Sequence, residues 1–177
     1  GVSIEESVVE EVARYLTDQD ESVRFMTAFF LYRSATGDPG PSEAVQSLRT
    51  AATDDESPEV RAYALRALVK RAPLRRDGFD EETFEKAVTD LDPRVSATAL
   101  SVIKSEPPEA KCKLAQFALG EVRASLEQNE ALVEETFGHK VGAALELVAD
   151  CPATDGVKSN TEVIASLVES RARQGEA

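Results

Sequence analysis

The feature that most constrains the fold is a Thr-Asp pair that recurs at residues 17, 53 and 89, with an identical spacing of 36 residues. A short acidic or proline-bearing turn follows each pair, and then a valine with a polar neighbour: Val23-Arg24, Val60-Arg61 and Val95-Ser96. Self-similarity at a fixed period of this length is typical of repeat architectures. We therefore expect the chain to be built from copies of one unit.

The residues after each valine have the spacing of an amphipathic helix. Offsets of 0, +4, +5 and +8 from the valine share one helix face, and in the first copy they are Val23, Thr27, Ala28 and Leu31. Small residues at +4 allow a neighbouring helix to approach closely. Each unit is thus predicted to consist of a first helix, a tight polar turn and a second helix. Since neither helix can bury its apolar face alone, successive pairs must stack.

Apolar periodicity and helix caps predict helices along almost the whole chain and no set of strands. The fold class is therefore all-α: a short right-handed α-solenoid of stacked antiparallel helix pairs, with about nine helices. Capping boxes are expected to start the first helix at Ser3 and the last at Ser159. The helices between them are expected at about 22–34, 42–52, 58–72, 80–89, 94–105, 109–127 and 130–149.

The domain prediction is a single α-solenoid domain over 1–177. Residues 4–106 hold the three repeats, and the pair Pro107-Pro108 separates them from less regular helices at 107–173, a possible cap on the stack. The first residue is Gly, which is expected of a tag remnant, a processed chain or an excised fragment.

The stretch VRAYALRAL at residues 60–68 resembles the HEAT repeat, in particular the short subclass seen in phycobilin-lyase-type proteins. The resemblance covers about residues 4–105. It implies that the turn Asp and the Arg after Val tie neighbouring turns together, through Asp18 with Arg24 and through Arg61 with Asp54 or with the preceding or following turn Asp. Asp90 has no Arg at the matching position, because Ser96 stands there. The repeat signature is Asp18, Arg24, Asp54, Arg61 and Asp90.

Charge narrows the possible partners. The chain has 33 acidic and 20 basic residues, a net charge of -13, which argues against nucleic acid and membrane surfaces as partners. No long apolar run or signal peptide is present, so we expect a soluble cytoplasmic protein. The acidic, lysine-poor, alanine-rich composition resembles that of proteins from salt-loving archaea. An ordinary acidic interaction protein explains it equally well.

The basic residues concentrate in one place. After Arg61 come five more cations, which we single out as possible partner-binding residues: Arg66, Lys70, Arg71, Arg75 and Arg76. They are suited to an acidic partner segment or a phosphorylated group. The favoured alternative is structural, because cations near the end of a helix complement its dipole.

The aromatic residues Phe25, Phe29 and Tyr32 share one helix face. We expect them to pack on the first helix near Tyr15 and Leu16, in preference to forming an exposed patch.

The histidine and the two cysteines lie in no sequence motif that indicates catalysis or metal binding. His139, the single histidine, lies in no recognisable nucleophile or metal motif. Cys112 and Cys151 are expected to be reduced and buried, and a disulfide between them is the alternative. We predict no catalytic residue, no metal site and no cofactor.

The functional prediction is a non-enzymatic protein–protein interaction module or scaffold with an unidentified protein partner. The alternative is an enzyme or cofactor-handling protein, which only the resemblance to the phycobilin-lyase-type family implies. A weaker alternative is nucleic-acid binding through the basic cluster between Arg61 and Arg76, which conflicts with the net charge.

Overall fold

The computed structural model describes residues 5–35, 42–71, 81–103, 108–127, 142, 144–146, 148–149, 151–152 and 155–175. Over these residues all regular structure is helical, so the all-α fold class is confirmed. One 3-10 helix is present, Arg14–Thr17, directly after α1. The α-helices are α1 (Glu6–Ala13), α2 (Glu21–Arg33), α3 (Ser42–Asp54), α4 (Pro58–Arg71), α5 (Glu81–Val88), α6 (Pro93–Ile103), α7 (Pro108–Glu127) and α8 (Asp155–Gly175).

The chain divides into two compact units, Gly1–Pro107 and Pro108–Ala177. In the first unit α1 with α2, α3 with α4, and α5 with α6 form three helical hairpins. The second helices contact one another in the order α2, α4, α6, and the first helices do so in the order α1, α3, α5. These contacts are compatible with stacked hairpins, while the right-handed solenoid stays a prediction, as does the single domain.

The core of the first unit lies on the helix face that the repeat pattern predicts. In α4, Val60, Ala64, Leu65 and Leu68 are at most 1% exposed, and Val95, Ala99 and Leu100 of α6 are buried to the same degree. Thr27, Ala28 and Leu31 are the buried residues of α2, whereas Val23 of the same predicted face is half-buried. The small residues at +4 are all buried, as the close approach of a neighbouring helix requires.

Two helix starts differ from the predicted capping boxes. The N-cap of α1 is Glu5, and its side chain makes no capping bond, whereas Ser3 lies outside the described residues. The last helix begins at Asp155, so the predicted start at Ser159 is wrong by about one turn. The Thr161 hydroxyl instead donates to the Val157 carbonyl at 2.8 Å, a bond that a helix interior can accommodate.

In the second unit α7 packs against α8. Arg123 Nη1 of α7 donates to Asn160 Oδ1 of α8 at 3.3 Å. Cys112 of α7 forms a disulfide with Cys151, with their Cα atoms 5.5 Å apart, so the expectation of reduced cysteines is wrong. The separation of 39 residues did not indicate this pairing, because a disulfide depends on how the folded chain places the two cysteines.

None of the described helices has both the length and the apolar composition needed to cross a bilayer.

Candidate functional site

Two arginines connect the turns of successive hairpins. Arg24 donates from Nε and Nη2 to the Asp55 carboxylate at 2.8 and 3.2 Å, and Arg61 does the same to Asp90 at 2.7 and 2.9 Å. Each guanidinium also binds backward through Nη1, Arg24 to the Asp18 carbonyl at 2.9 Å and Arg61 to the Asp55 carbonyl at 2.7 Å. We name this chain of contacts the Arg–Asp ladder, with members Arg24, Asp55, Arg61 and Asp90.

The ladder favours the charged form of its two arginines. The hydrogen bond to Asp55 raises the pKa of Arg24 above its ordinary value, and the bond to Asp90 raises that of Arg61. Both pairs are largely shielded from water, with 5–14% of each side chain exposed. Bidentate pairs in this setting hold two elements in one register.

The turn aspartate of the second hairpin is Asp55 and not Asp54. Asp54 is the last residue of α3, whereas Asp55 lies in the turn and accepts the Ser57 amide at 2.9 Å. Of the partners expected for Arg61, the structure has the following turn aspartate, Asp90, and not Asp54. The expected pairing of Arg24 with Asp18 involves only the Asp18 backbone carbonyl. Thr53 still has the same role as its equivalents, since the hydroxyls of Thr17, Thr53 and Thr89 each donate to a carbonyl of the preceding helical turn.

The ladder ends at the third hairpin. Ser96 is buried at the position of the missing arginine, and its hydroxyl donates to the Pro93 carbonyl at 3.3 Å. Arg94 bonds instead to Asp92 at 2.8 Å and to Glu59 of α4. The bonds of Arg94 and Ser96 stay within the second and third hairpins. Because Ser96 replaces the ladder arginine, the ladder joins the three hairpins and ends at Asp90.

The five possible partner-binding cations do not share one environment. Arg71 is 4% exposed; its Nε donates to the Leu31 carbonyl at 3.0 Å and its Nη2 to Ser34 Oγ at 2.6 Å. Burial lowers the pKa of its guanidinium from the ordinary value. Arg71 thus joins the ends of α4 and α2 and is not accessible to a partner, which corrects its assignment. Arg75 and Arg76, like His139, lie outside the described residues.

Four aromatic rings form a half-buried cluster on α2 and α4. The Tyr63 ring meets Phe25, Phe29 and Tyr32 edge-on, at centroid distances of 5.2, 5.6 and 6.1 Å. The expected packing of Phe25, Phe29 and Tyr32 on Tyr15 is not found, because these rings project along the row of second helices. Such edge-to-face contacts are favourable and fix the rings in place.

The remaining two cations lie on this cluster. Lys70 Nζ is 4.2 Å from the centroid of the Tyr32 ring, and Arg66 Cζ is 5.2 Å from that of Tyr63. Arg66 also donates to the Thr98 hydroxyl of α6 at 3.4 Å. We name this surface the cation–aromatic face, and its members are Phe25, Phe29, Tyr32, Tyr63, Arg66 and Lys70.

A groove of about 380 Å³ continues the cation–aromatic face between α4 and α6. Its polar rim includes Arg66 and Arg94, and small side chains line much of the rest. The residues that line it are Glu59, Ala62, Tyr63, Arg66, Arg94, Ala97, Thr98 and Ser101.

Within the described ranges no group of three or more His, Cys, Asp or Glu side chains is arranged to hold a metal ion. The acidic residues at 54–56 line another groove, and there Asp55 is already bound to Arg24.

Sequence reasoning missed Asp55, Tyr63 and Thr98 as parts of these surfaces. A signal for Tyr63 was present, since it lies three residues before Arg66 and seven before Lys70, which places all three on one helix face. No comparable signal marked Thr98, whose contact with Arg66 depends on the packing of α6 against α4.

Comparison with known proteins defines the fold alone. No protein-family model matches the chain, and no curated protein matches it either. Among solved structures the chain is similar to the crystal structure of an engineered protein, a target of the Northeast Structural Genomics Consortium. The TM-score is 0.53 at 23% identity, over 90% of this chain and 68% of that one. A helical fold is what the two share.

Proposed function

We propose that this chain is a non-enzymatic protein-binding module of the HEAT-like class. Its ligand is an acidic, extended segment of a partner protein, which binds along the cation–aromatic face. One observation carries the proposal: Arg66 and Lys70 lie over tyrosine rings with no carboxylate bonded to either in the described part of a chain that has 33 acidic residues.

Charge selects the ligand. Most of the surface of a chain with a net charge of -13 repels an acidic peptide, so the face that holds two adjacent cations is where such a peptide gains the most. Since the repulsion elsewhere disfavours other binding positions, it contributes to specificity as well.

The rings supply the second part of the recognition. Phe25, Phe29, Tyr32 and Tyr63 are held by contacts with one another and remain only half-buried. Rigid aromatic side chains are common anchors of protein interfaces because little conformational entropy is lost when they bind. The groove between α4 and α6 extends this surface for the peptide backbone.

The experiment uses two labelled peptides of equal length with the same Phe and Leu residues, one with glutamates and one with lysines between them. Fluorescence anisotropy with the full chain should show saturable binding of the glutamate peptide and none of the lysine peptide. Equal binding of the two would contradict an acidic ligand. A labelled DNA duplex is the third probe, and tighter binding of the duplex than of the glutamate peptide would support the nucleic-acid alternative instead.

A further inference from the structure

The first hairpin carries the same turn as the other two, but among the described residues no arginine donates to its aspartate carboxylate. Asp18 accepts the Asp20 amide at 2.8 Å, as Asp90 accepts that of Asp92 at 2.8 Å. In the second and third turns the carboxylate also receives the two-pronged guanidinium of the preceding hairpin. For Asp18, the amide of Asp20 is the single donor to the carboxylate within the described residues. The first turn therefore has the same acceptor, and no described arginine side chain bonds to it.

A second position shows the same difference. Tyr63 stands three residues after Val60 and packs on α2, and Thr98 stands three residues after Val95 and accepts a bond from Arg66 of α4. Both positions thus contact the preceding hairpin. Met26 stands three residues after Val23, and its side chain is 57% exposed. By equivalence it points to the place that a preceding hairpin would occupy.

Two other large apolar side chains of the first hairpin are exposed as well. Val8 is 43% and Tyr15 is 49% exposed, and Tyr15 lines a shallow groove together with Asp18 and Gln19. Of the four large apolar side chains that are exposed in the described ranges, three belong to the first hairpin. We name Val8, Tyr15, Asp18 and Met26 the end face.

We infer that the end face is a docking surface for an α-helical hairpin of another protein that presents an arginine on its second helix. The occupant follows from continuity with the two interfaces inside this unit. In both, an arginine of the preceding hairpin donates two bonds to the turn aspartate. A side chain of that hairpin also contacts the +3 position, Phe25 at Tyr63 and Arg66 at Thr98. The Asp18 carboxylate gives the charge complement, and the flexible Met26 suits a variable apolar partner. In a second copy, the arginines at the equivalent position of the second helix, Arg24 and Arg61, are already bound to Asp55 and Asp90, and the third hairpin has Ser96 there. This inference does not depend on the cation–aromatic face.

The test adds a known hairpin to the full chain. A copy of residues 42–80, which carries the Arg61 equivalent and its own connecting segment, is fused ahead of residue 5. Because Met26 is the single methionine, its oxidation by peroxide reports on this face alone. We expect at least tenfold slower oxidation of Met26 and a thermal midpoint higher by about 4 °C.

Two controls separate docking from simple extension of the chain. Asp18→Asn should remove most of the gain in the extended chain and leave the original chain unchanged, and alanine at the copied arginine should have the same effect as Asp18→Asn. Unchanged Met26 oxidation, or a gain that Asp18→Asn does not affect, would overturn the inference.

A probe of the unextended chain covers the case in which the fusion does not fold. N-acetylarginine amide, titrated at millimolar concentration and followed by NMR, should shift the amide signals of residues 18–20 in the original chain and not in Asp18→Asn. The absence of such shifts would contradict a guanidinium site. Concentration-dependent dimerisation that protects Met26 would instead assign the end face to a second copy, and the inference would be wrong.

Discussion

Arg61 donates from two nitrogens to the Asp90 carboxylate, although 29 residues separate the two in the chain. Its third nitrogen donates to the Asp55 carbonyl, in the turn that precedes α4. One side chain thereby sets the distance between two successive turns. The same geometry in Arg24 and Asp55 makes it a property of the hairpin stack and not of one contact. Stacking in register is what places α2, α4 and α6 side by side and so forms the cation–aromatic face.

Loss of one ladder arginine should destabilise the first unit strongly. Arg61→Ala leaves the Asp90 carboxylate largely buried without a cation, so we expect a loss of about 2–4 kcal/mol in the free energy of unfolding. Urea denaturation followed by circular dichroism measures it. The matched control is Arg14→Ala, which removes an exposed pair with Glu11 and should cost less than about 0.5 kcal/mol. Equal losses in the two variants would show that the ladder contributes no more than a surface pair.

Asp92 should give the stability of α6 a specific pH dependence. Hydrogen bonds from Arg94 lower the pKa of Asp92 below its ordinary value. A carboxyl whose pKa is lower in the folded state stabilises that state fully above its unfolded pKa, and the contribution is lost as the pH falls through the folded pKa. Asp92→Asn should therefore lower the thermal midpoint at pH 7 and have a smaller effect at pH 2. A difference that stays constant between these pH values would mean that ionisation of Asp92 is not involved.

The disulfide should account for much of the stability of the second unit. Cys112 and Cys151 close a loop of 39 residues, for which chain-entropy arguments give about 3–4 kcal/mol. We expect the Cys112→Ser and Cys151→Ser single variants, and the double variant, to lose similar amounts of unfolding free energy. Thiol titration of the denatured chain should find no free thiol before reduction and two after it. Two free thiols without reduction would contradict the disulfide.

Gly120 offers a stabilising change in the same unit. It lies inside α7, and a Cβ atom added there would meet no other heavy atom within 4 Å. Since Gly costs conformational entropy in a helix, Gly120→Ala should raise the unfolding free energy by about 0.5–1 kcal/mol. A lower urea midpoint for the variant would show that the site is more crowded than the structure indicates.

How far the sequence could predict the fold depends on which signals were local. The valine register found the core of α4 and α6, because burial follows directly from helical periodicity. It missed Asp55, since two aspartates follow Thr53 and only the length of α3 decides which of them enters the turn. A one-residue difference in a helix end lies below the resolution of sequence patterns.

The candidate site was less predictable because its parts meet only across hairpins. The sequence grouped Arg71 with Arg66 and Lys70, since all three are cations of one helix. The angular position of Arg71 instead sends it inward to the carbonyl of Leu31, where neutral oxygens stabilise the buried charge. Arg66 and Lys70 could be placed on an outer face, but their tyrosine partners required knowledge of which helix lies beside α4.

Recognition of an acidic segment by the cation–aromatic face can be tested with a charge-reversal series. Isothermal titration of the glutamate peptide into the original chain is compared with titration into Lys70→Glu and Lys158→Glu. The two variants have the same change in net charge, and Lys158 is an exposed lysine of α8 in the other unit. We predict roughly tenfold weaker binding for Lys70→Glu and less than about a twofold change for Lys158→Glu. Equal affinities in all three proteins, or equal losses in both variants, would contradict binding at this face.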